Sequence, residues 1–240
     1  MHTQKRYFLA AAAIFAFSGH AMADDDGNNN GNSNRRACSI PAATVNQIQS
    51  QLSPVSNGTN GGIFSPNRMW SAVIDRDGVL CSVIKVGDAW PGSRAIAIAK
   101  ANTANAFSND GLALSTANLY AATQPGGSLY GLNNSNPFNP DFLPLGSGIG
   151  NVPGGVITFG GGVPLYKNGK VIGGLGVSGD SACADHVIAY RMRRNAALGG
   201  IPGGVGFNKT DNIDYAPTGT SPSGFQHPHC FPTDIDPAAI

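Results

Sequence analysis

Two predicted β-hairpins constrain the fold of this chain more than any other feature of its sequence. Residues 69–74 and 79–86 are apolar and rich in β-branched side chains, and an Asp-Gly pair lies between them. Residues 162–166 and 171–177 have the same character and flank an Asn-Gly pair. Both dipeptides are typical of two-residue hairpin turns. A short apolar run at 156–159 predicts a fifth strand.

A helix is predicted between the two hairpins. Ser93 is placed to cap it, and the side chains from Ala95 to Phe107 are mainly small or apolar, with Lys100 as the only charge among them. A helix of this composition is expected to be buried and to pack closely on a sheet. The predicted strand 171–177 contains three glycines, which imply the close approach of another backbone or of a ligand.

Two more helices are predicted, one before the first hairpin and one after the second. Val45, Ile48 and Leu52 follow a helical period shortly after Pro41, and residues 182–194 form a helix with arginines near its C-terminal end. Hairpins joined by single helices indicate an α+β fold. We expect an antiparallel sheet with the helices packed on one face.

The N-terminus has the composition of a cleaved secretory signal peptide. Lys5 and Arg6 precede an apolar run at 7–17, which ends in Ala-Met-Ala at 21–23. The run is shorter than the roughly 20 residues that span a bilayer. We therefore expect cleavage after Ala23 and a soluble periplasmic or secreted protein with no membrane insertion.

Three segments are predicted after the signal peptide. Residues 24–37 are polar and are expected to form a disordered arm, because they offer no apolar surface to bury. Residues 38–198 form the α+β domain, and a long insertion at 108–155 interrupts it. The insertion is rich in Gly, Asn and Pro but retains aromatic residues, which favours a packed, functional loop. Residues 199–240 are predicted to form an irregular tail.

Charge and composition exclude several classes of function. Without Lys5 and Arg6 the chain has 13 basic and 14 acidic residues, so it lacks the positive charge that nucleic-acid binding requires. Every acidic residue is Asp, which excludes mechanisms that need a glutamate base, including the H-E-x-x-H metalloproteases. The chain also lacks a G-x-S-x-G motif, so a nucleophilic hydrolase has little support.

The cysteines of the exported chain are expected to form two disulfides, because oxidising compartments favour them. The sequence leaves three pairings open. The alternative is a zinc or copper site near the C-terminus, since cysteine and histidine are the usual ligands of these metals. The cysteines are Cys38, Cys81, Cys183 and Cys230, and the metal alternative would combine the last two with His186, His227 and His229.

Three stretches together resemble the extracellular haem-binding family, also called HbpS-like, GlcG-like or haem-degrading. They are residues 73–78, 96–104 and 160–179, and the resemblance extends over roughly residues 40–198. It implies a profilin-like or PAS-like α+β fold with a five-stranded antiparallel sheet, a tendency to form homo-oligomers, and haem as cofactor.

The resemblance also implies two ligand-binding residues on the helix between the hairpins. Thr103 would be an oxygen near the haem iron, and Lys100 would pair with a haem propionate. The residues themselves leave other interpretations open. A helical threonine hydroxyl commonly bonds back to a preceding carbonyl, and a lysine can extend its ammonium from an apolar helix to water.

Three more candidate binding residues lie at turns. Asp75 could line a ligand pocket between the sheet and the helix, or it could bond the amides of its own hairpin turn. Ser178 and Gly179 could present backbone N–H groups to a carboxylate, or they could belong to a tight turn capped by Asp180 or Ser181. A histidine axial ligand in the exported chain must be His186, His227 or His229.

The sequence therefore predicts an exported haem-binding protein that sequesters or delivers haem reversibly, with haem or another small anion as its partner. One alternative is a haem-degrading or tetrapyrrole-processing enzyme that uses Lys100 and Asp75 as polar groups. The other is a cofactor-free oligomeric structural protein.

Overall fold

An antiparallel sheet of four strands forms the framework of the computed structural model, which describes residues 35–139, 147–215 and 224–240. The strand order is β2-β1-β4-β3. Both predicted hairpins are present, and they join because β1 pairs with β4. The strands are β1 (Met69–Asp75), β2 (Leu80–Val86), β3 (Gly162–Lys167) and β4 (Lys170–Ser178).

Five α-helices surround this sheet in the described residues. The predicted first helix is divided in two, and the predicted last helix extends one residue further than expected. The helices are α1 (Ala42–Gln49), α2 (Leu52–Ser56), α3 (Ser93–Ala106), α4 (Tyr120–Thr123) and α5 (Ala182–Asn195).

The helices cover both faces of the sheet, so the expectation of helices on one face was wrong. Ile48 and Leu52 from the first two helices pack with Met192 of α5 against one face, where Val73 is buried. On the other face α3 packs against neighbours of Val73 in the same strand. Because successive side chains of β1 point to opposite faces and all are buried, each face requires its own cover.

Two glycines of β4 allow α3 to lie against the sheet. A Cβ atom at Gly176 would overlap the carbonyl oxygen of Ala97, and one at Gly174 would overlap that of Ala101. The sequence prediction that this strand is approached closely is confirmed, and the approaching group is the backbone of α3.

The predicted fifth strand at 156–159 is absent from the described sheet. The backbone of this segment and of the residue before it bonds to side chains of α3 instead of to a strand. The Ile157 N–H donates to Thr103 Oγ1 at 2.9 Å, and Asn102 Nδ2 donates to the Gly155 carbonyl at 2.8 Å. The polar side chains of α3 thus take the place of a strand partner.

Two disulfides join the ends of the domain to its centre, as predicted. Cys38 pairs with Cys81 and ties the segment before α1 to β2. Cys183 pairs with Cys230 and ties the C-terminal tail to the first turn of α5.

The predicted signal peptide and most of the predicted polar arm lie outside the described residues. Among the helices that are described, none has the length and apolar character needed to cross a bilayer.

Candidate functional site

Lys100 lies inside the domain and pairs with a carboxylate of α5. Its Nζ is 2.7 Å from Asp185 Oδ2 and 3.2 Å from the Val177 carbonyl, and it also lies 4.7 Å from the centroid of the Phe159 ring. Lys100 is fully buried. Burial lowers the pKa of Lys100 and raises that of Asp185 to about 6. The structure therefore places the lysine in an internal ion pair, away from the described clefts.

Thr103 is also fully buried, and both sides of its hydroxyl are occupied. Its Oγ1 donates to the Ala99 carbonyl at 2.7 Å and accepts from the Ile157 N–H at 2.9 Å. The hydroxyl bonds back along the helix, which is the alternative that the sequence left open. An iron-binding role for Thr103 remains a prediction, and it requires these two bonds to open.

Asp75 and Ser178 are the last residues of β1 and β4, and Gly179 follows Ser178. The Asp75 carboxylate accepts bonds from the N–H groups of Asp77 and Val79 in its own hairpin. It also accepts two bonds from Ser39. Ser178 and Gly179 connect β4 to α5, whose N-terminus is capped by Ser181. The structure does not bring these residues together with Lys100 and Thr103 around one cleft.

Two of the three candidate histidines are buried and engaged. His186 Nε2 accepts from the Ile213 N–H at 3.0 Å, and His227 Nε2 accepts from the Gly160 N–H at 3.2 Å. Burial lowers the pKa of His186 to about 3 and that of His227 to about 4. Both imidazoles are therefore neutral at physiological pH.

The third histidine, His229, is exposed and stacked on an aromatic ring. Its imidazole centroid lies 4.1 Å from that of Tyr215, with an angle of 19° between the planes. Its Nδ1 is 3.4 Å from Asp234 Oδ2, an oxygen that also accepts from the Cys230 N–H. The disulfide at Cys230 anchors this short segment to α5.

His229 borders a cleft of about 630 Å³ between the insertion and the tail, which we call the tail cleft. Tyr120 and the loop that follows α4 form one side, and Tyr215 and residues 226–229 form the other. The Tyr215 hydroxyl is buried and has no hydrogen-bond partner in the part of the chain that the structure describes. Burial raises the pKa of this hydroxyl. The tail cleft thus combines aromatic rings, imidazoles and an unsatisfied hydroxyl.

Only part of this cleft could be predicted from the sequence. His227 and His229 were considered together with the cysteines as metal ligands, whereas Tyr215 was not singled out. The disulfide between Cys183 and Cys230 removes the thiolates that such a site would need. The aromatic residues retained in the polar insertion, Tyr120 among them, were the one signal that pointed to a packed functional surface there.

The lowered pKa values predict that acid destabilises the fold through the buried histidines. A histidine whose pKa is lower in the folded state contributes stability above its unfolded value, near 6.5, and loses it as the pH falls. His227→Gln keeps an acceptor for the Gly160 N–H but cannot be protonated. Between pH 7 and about 5, the variant should lose less free energy of unfolding than the wild type. Urea denaturation at both pH values measures this difference, and equal losses would contradict the assignment.

The part of the sequence that contains the four strands is similar to known proteins. The family model described as "Haem degrading protein HbpS-like" matches residues 66–193. An uncharacterized 15.0 kDa protein from Citrobacter freundii is 34% identical over 118 residues, which are 49% of this chain and 68% of that protein. The corrinoid adenosyltransferase PduO of the same organism is 34% identical over 118 residues, but the match covers only 29% of its length.

Two solved structures share the fold. Klebsiella pneumoniae protein ORFY superposes with a TM-score of 0.51 at 26% identity, over 66% of this chain and 90% of that one. A crystal structure described as a PduOC:heme complex gives a TM-score of 0.50 at 26% identity, over 65% of this chain and 94% of the other. The family match ends at residue 193, so Tyr215 and His229 lie in the part of this chain beyond it.

Proposed function

Because this chain belongs to the HbpS-like haem-degrading protein family, we propose that it binds haem and that it sequesters or delivers haem reversibly. The similarity to a structure solved as a haem complex supports this proposal. The tail cleft carries it, since that cleft brings an accessible imidazole next to aromatic side chains in a space large enough for a cofactor.

The tail cleft fits a haem in size and chemistry. Its volume of about 630 Å³ lies within the range of cofactor sites, roughly 300–1,000 Å³. Tyr120 and Tyr215 offer ring surface, and the Tyr215 hydroxyl has a free hydrogen-bonding capacity that a bound group can use. Among the described residues that line the cleft there is no lysine or arginine, so recognition rests on ring contacts and on the imidazole.

His229 is the histidine of the described chain that is suited to hold the iron. The other two candidates use Nε2 to accept a backbone N–H. In His229 the contact between Nδ1 and Asp234 favours the tautomer with the proton on Nδ1, which leaves the Nε2 lone pair available. His229 would hold a haem through this nitrogen, and the bound haem would supply an iron centre.

The proposed place of action is the periplasm or the extracellular space. The signal-peptide pattern at 1–23 supports this location, and so do the two disulfides, which persist in oxidising compartments. A homo-oligomer is proposed on the resemblance alone.

Haemin titration of the purified protein tests the proposal. We expect a saturable shift of the Soret band, and we expect His229→Ala to change the band and weaken binding by about tenfold or more, the effect of losing a metal ligand or its support. His229 is exposed, so the variant should remain folded. A flat titration of the wild type, or an identical band in His229→Ala, would contradict this site.

Thr103→Ala provides the matched comparison for the haemin titration. If the tail cleft holds the haem, the spectrum of this variant should equal that of the wild type. A changed band in Thr103→Ala together with an unchanged one in His229→Ala would move the site to α3, where the family resemblance places it. Hydroxocobalamin serves as a second ligand, because one relative of this chain is a corrinoid adenosyltransferase.

Haem degradation is the second candidate function, because the matching family is described as haem-degrading. Loss of the Soret band in the presence of a reductant, with release of iron, would support an enzyme. A band that is stable under these conditions would support a carrier. The family description favours testing both outcomes on the same sample.

A further inference from the structure

One further cleft lies at the C-terminal end of α2 and shares no lining residue with the tail cleft. Its volume is about 490 Å³, and its walls are the end of α2, the loop 63–67 and the end of β2. This volume also falls within the range of small-molecule sites, roughly 300–1,000 Å³. We call it the α2 cleft.

Of the described residues that line the α2 cleft, Arg68 is the only ionisable one. Its guanidinium lies over the Phe64 ring, 4.9 Å from the ring centroid. The side chain is exposed, and none of the ion pairs found among the described residues includes it. A Cβ at Gly87 would lie 3.3 Å from Arg68 Cγ, so this glycine leaves room for the arginine stem. The cleft therefore holds a positioned cation without a carboxylate partner.

The loop that carries Phe64 is fixed by a carboxylate that is already occupied. Asp180 accepts from the N–H groups of Ile63 and Phe64 at 2.6 and 3.0 Å, and from Asn67 Nδ2 at 3.0 Å. These bonds hold the loop in place, so the wall of the cleft that carries Phe64 is preformed.

Ser56 adds a second, independent sign of a ligand. It lines the α2 cleft, its exposed fraction is 1%, and its hydroxyl has no partner among the residues described. A buried hydroxyl without a partner is costly, and such groups are uncommon in folded proteins. A ligand oxygen in the cleft could accept the hydrogen bond that the protein leaves unmade.

We propose that the α2 cleft binds a small organic carboxylate. Arg68 pairs with the carboxylate, because a guanidinium matches the two oxygens of that group with two parallel N–H donors. Ser56 donates a further hydrogen bond. Phe64 and Val86 contact the apolar body of the ligand. This binding is separate from haem binding, since none of these residues borders the tail cleft.

Calorimetric titration with three compounds that share one ring tests the proposal. Benzoate carries the carboxylate, phenyl phosphate carries another anion, and benzyl alcohol carries no charge. We expect benzoate to bind saturably and more tightly than phenyl phosphate, and benzyl alcohol not to bind. Tighter binding of phenyl phosphate would overturn the choice of a carboxylate, and no saturable benzoate binding would overturn the site.

Variants then assign the binding to the named residues. Arg68→Gln should weaken benzoate binding by about tenfold, the size of one charged hydrogen-bonded contact. Ser56→Ala should weaken it by a few fold, whereas Lys85→Gln, an exposed cation outside the cleft, should bind as the wild type does. Equal binding by Arg68→Gln and the wild type would overturn the proposal. Loss of haemin binding in Arg68→Gln would also overturn it, because the cleft would then belong to the haem site.

Discussion

Replacing Lys100 with methionine is expected to lower the free energy of unfolding by about 3–5 kcal/mol, the cost of leaving a buried charge without its partner. The substitution removes the ammonium but keeps most of the apolar stem. It leaves Asp185 enclosed between α3, β4 and α5, with the Asp180 N–H as a remaining donor. Urea denaturation followed by circular dichroism measures the change.

A second substitution distinguishes the loss of the ion pair from the loss of packing. Asp185→Asn in the Lys100→Met background removes the unpaired charge and keeps an acceptor for the Asp180 N–H. We expect the double variant to recover most of the stability, since replacing both members of a buried pair is often nearly neutral. If the double variant is as unstable as Lys100→Met, packing rather than charge explains the loss.

An exposed ion pair provides the control for this pair. Lys170 lies 2.8 Å from Asp110, but both side chains are accessible to solvent. Lys170→Met should therefore change stability little, because water and salt screen exposed pairs.

The double variant at Lys100 and Asp185 also tests function. If haem binds at the tail cleft, this variant should titrate with haemin as the wild type does, whereas a weakened titration would support the propionate role of Lys100.

Gly176→Ala is expected to destabilise the fold by about 3 kcal/mol or more, at the upper end of the cost of overpacking a core. The new methyl group would overlap the Ala97 carbonyl oxygen of α3, and backbone atoms cannot move aside as a flexible side chain can. The helix would have to shift away from the sheet. Thermal or urea denaturation measures the loss.

Gly200→Ala is the matched control for Gly176→Ala. No atom lies within 4 Å of the position of its Cβ, so this substitution should be neutral or slightly stabilising. If both variants have the stability of the wild type, α3 does not lie against β4 as the structure shows. The glycine of β4 would then serve the approach of a ligand, the other possibility that the sequence allowed.

The two hairpins and the helices before, between and after them followed from local sequence patterns, whereas α4 lies in the segment expected to be a loop. Apolar runs rich in β-branched residues, with Asn-Gly or Asp-Gly turns between them, identify strands and their connection without knowledge of the rest of the chain. The expected strand at 156–159 failed for a reason that no local pattern contains. Its partners are the side chains of Asn102 and Thr103 on a helix more than fifty residues earlier.

The candidate site was predicted less well than the fold, because its residues meet only in three dimensions. The family resemblance implied that Lys100 binds a ligand, and the residue by itself left open an anion partner or an ammonium extended to water. Its partner Asp185 is 85 residues away. His229, in contrast, was considered in the sequence as one ligand of a metal site together with cysteines. In the structure Cys183 and Cys230 form a disulfide, so their thiols are not available as ligands beside His229.

The sequence by itself determined the local segments: two hairpins, an alanine-rich buried helix and an even number of cysteines. These depend on composition and short-range periodicity, which act within a few residues. The tertiary structure alone decided which faces of the sheet are covered, which cysteines pair, and which polar side chains satisfy one another inside. Burial makes the difference, because a charge such as Lys100 or a ring such as Tyr215 acquires its role from distant groups that packing places beside it.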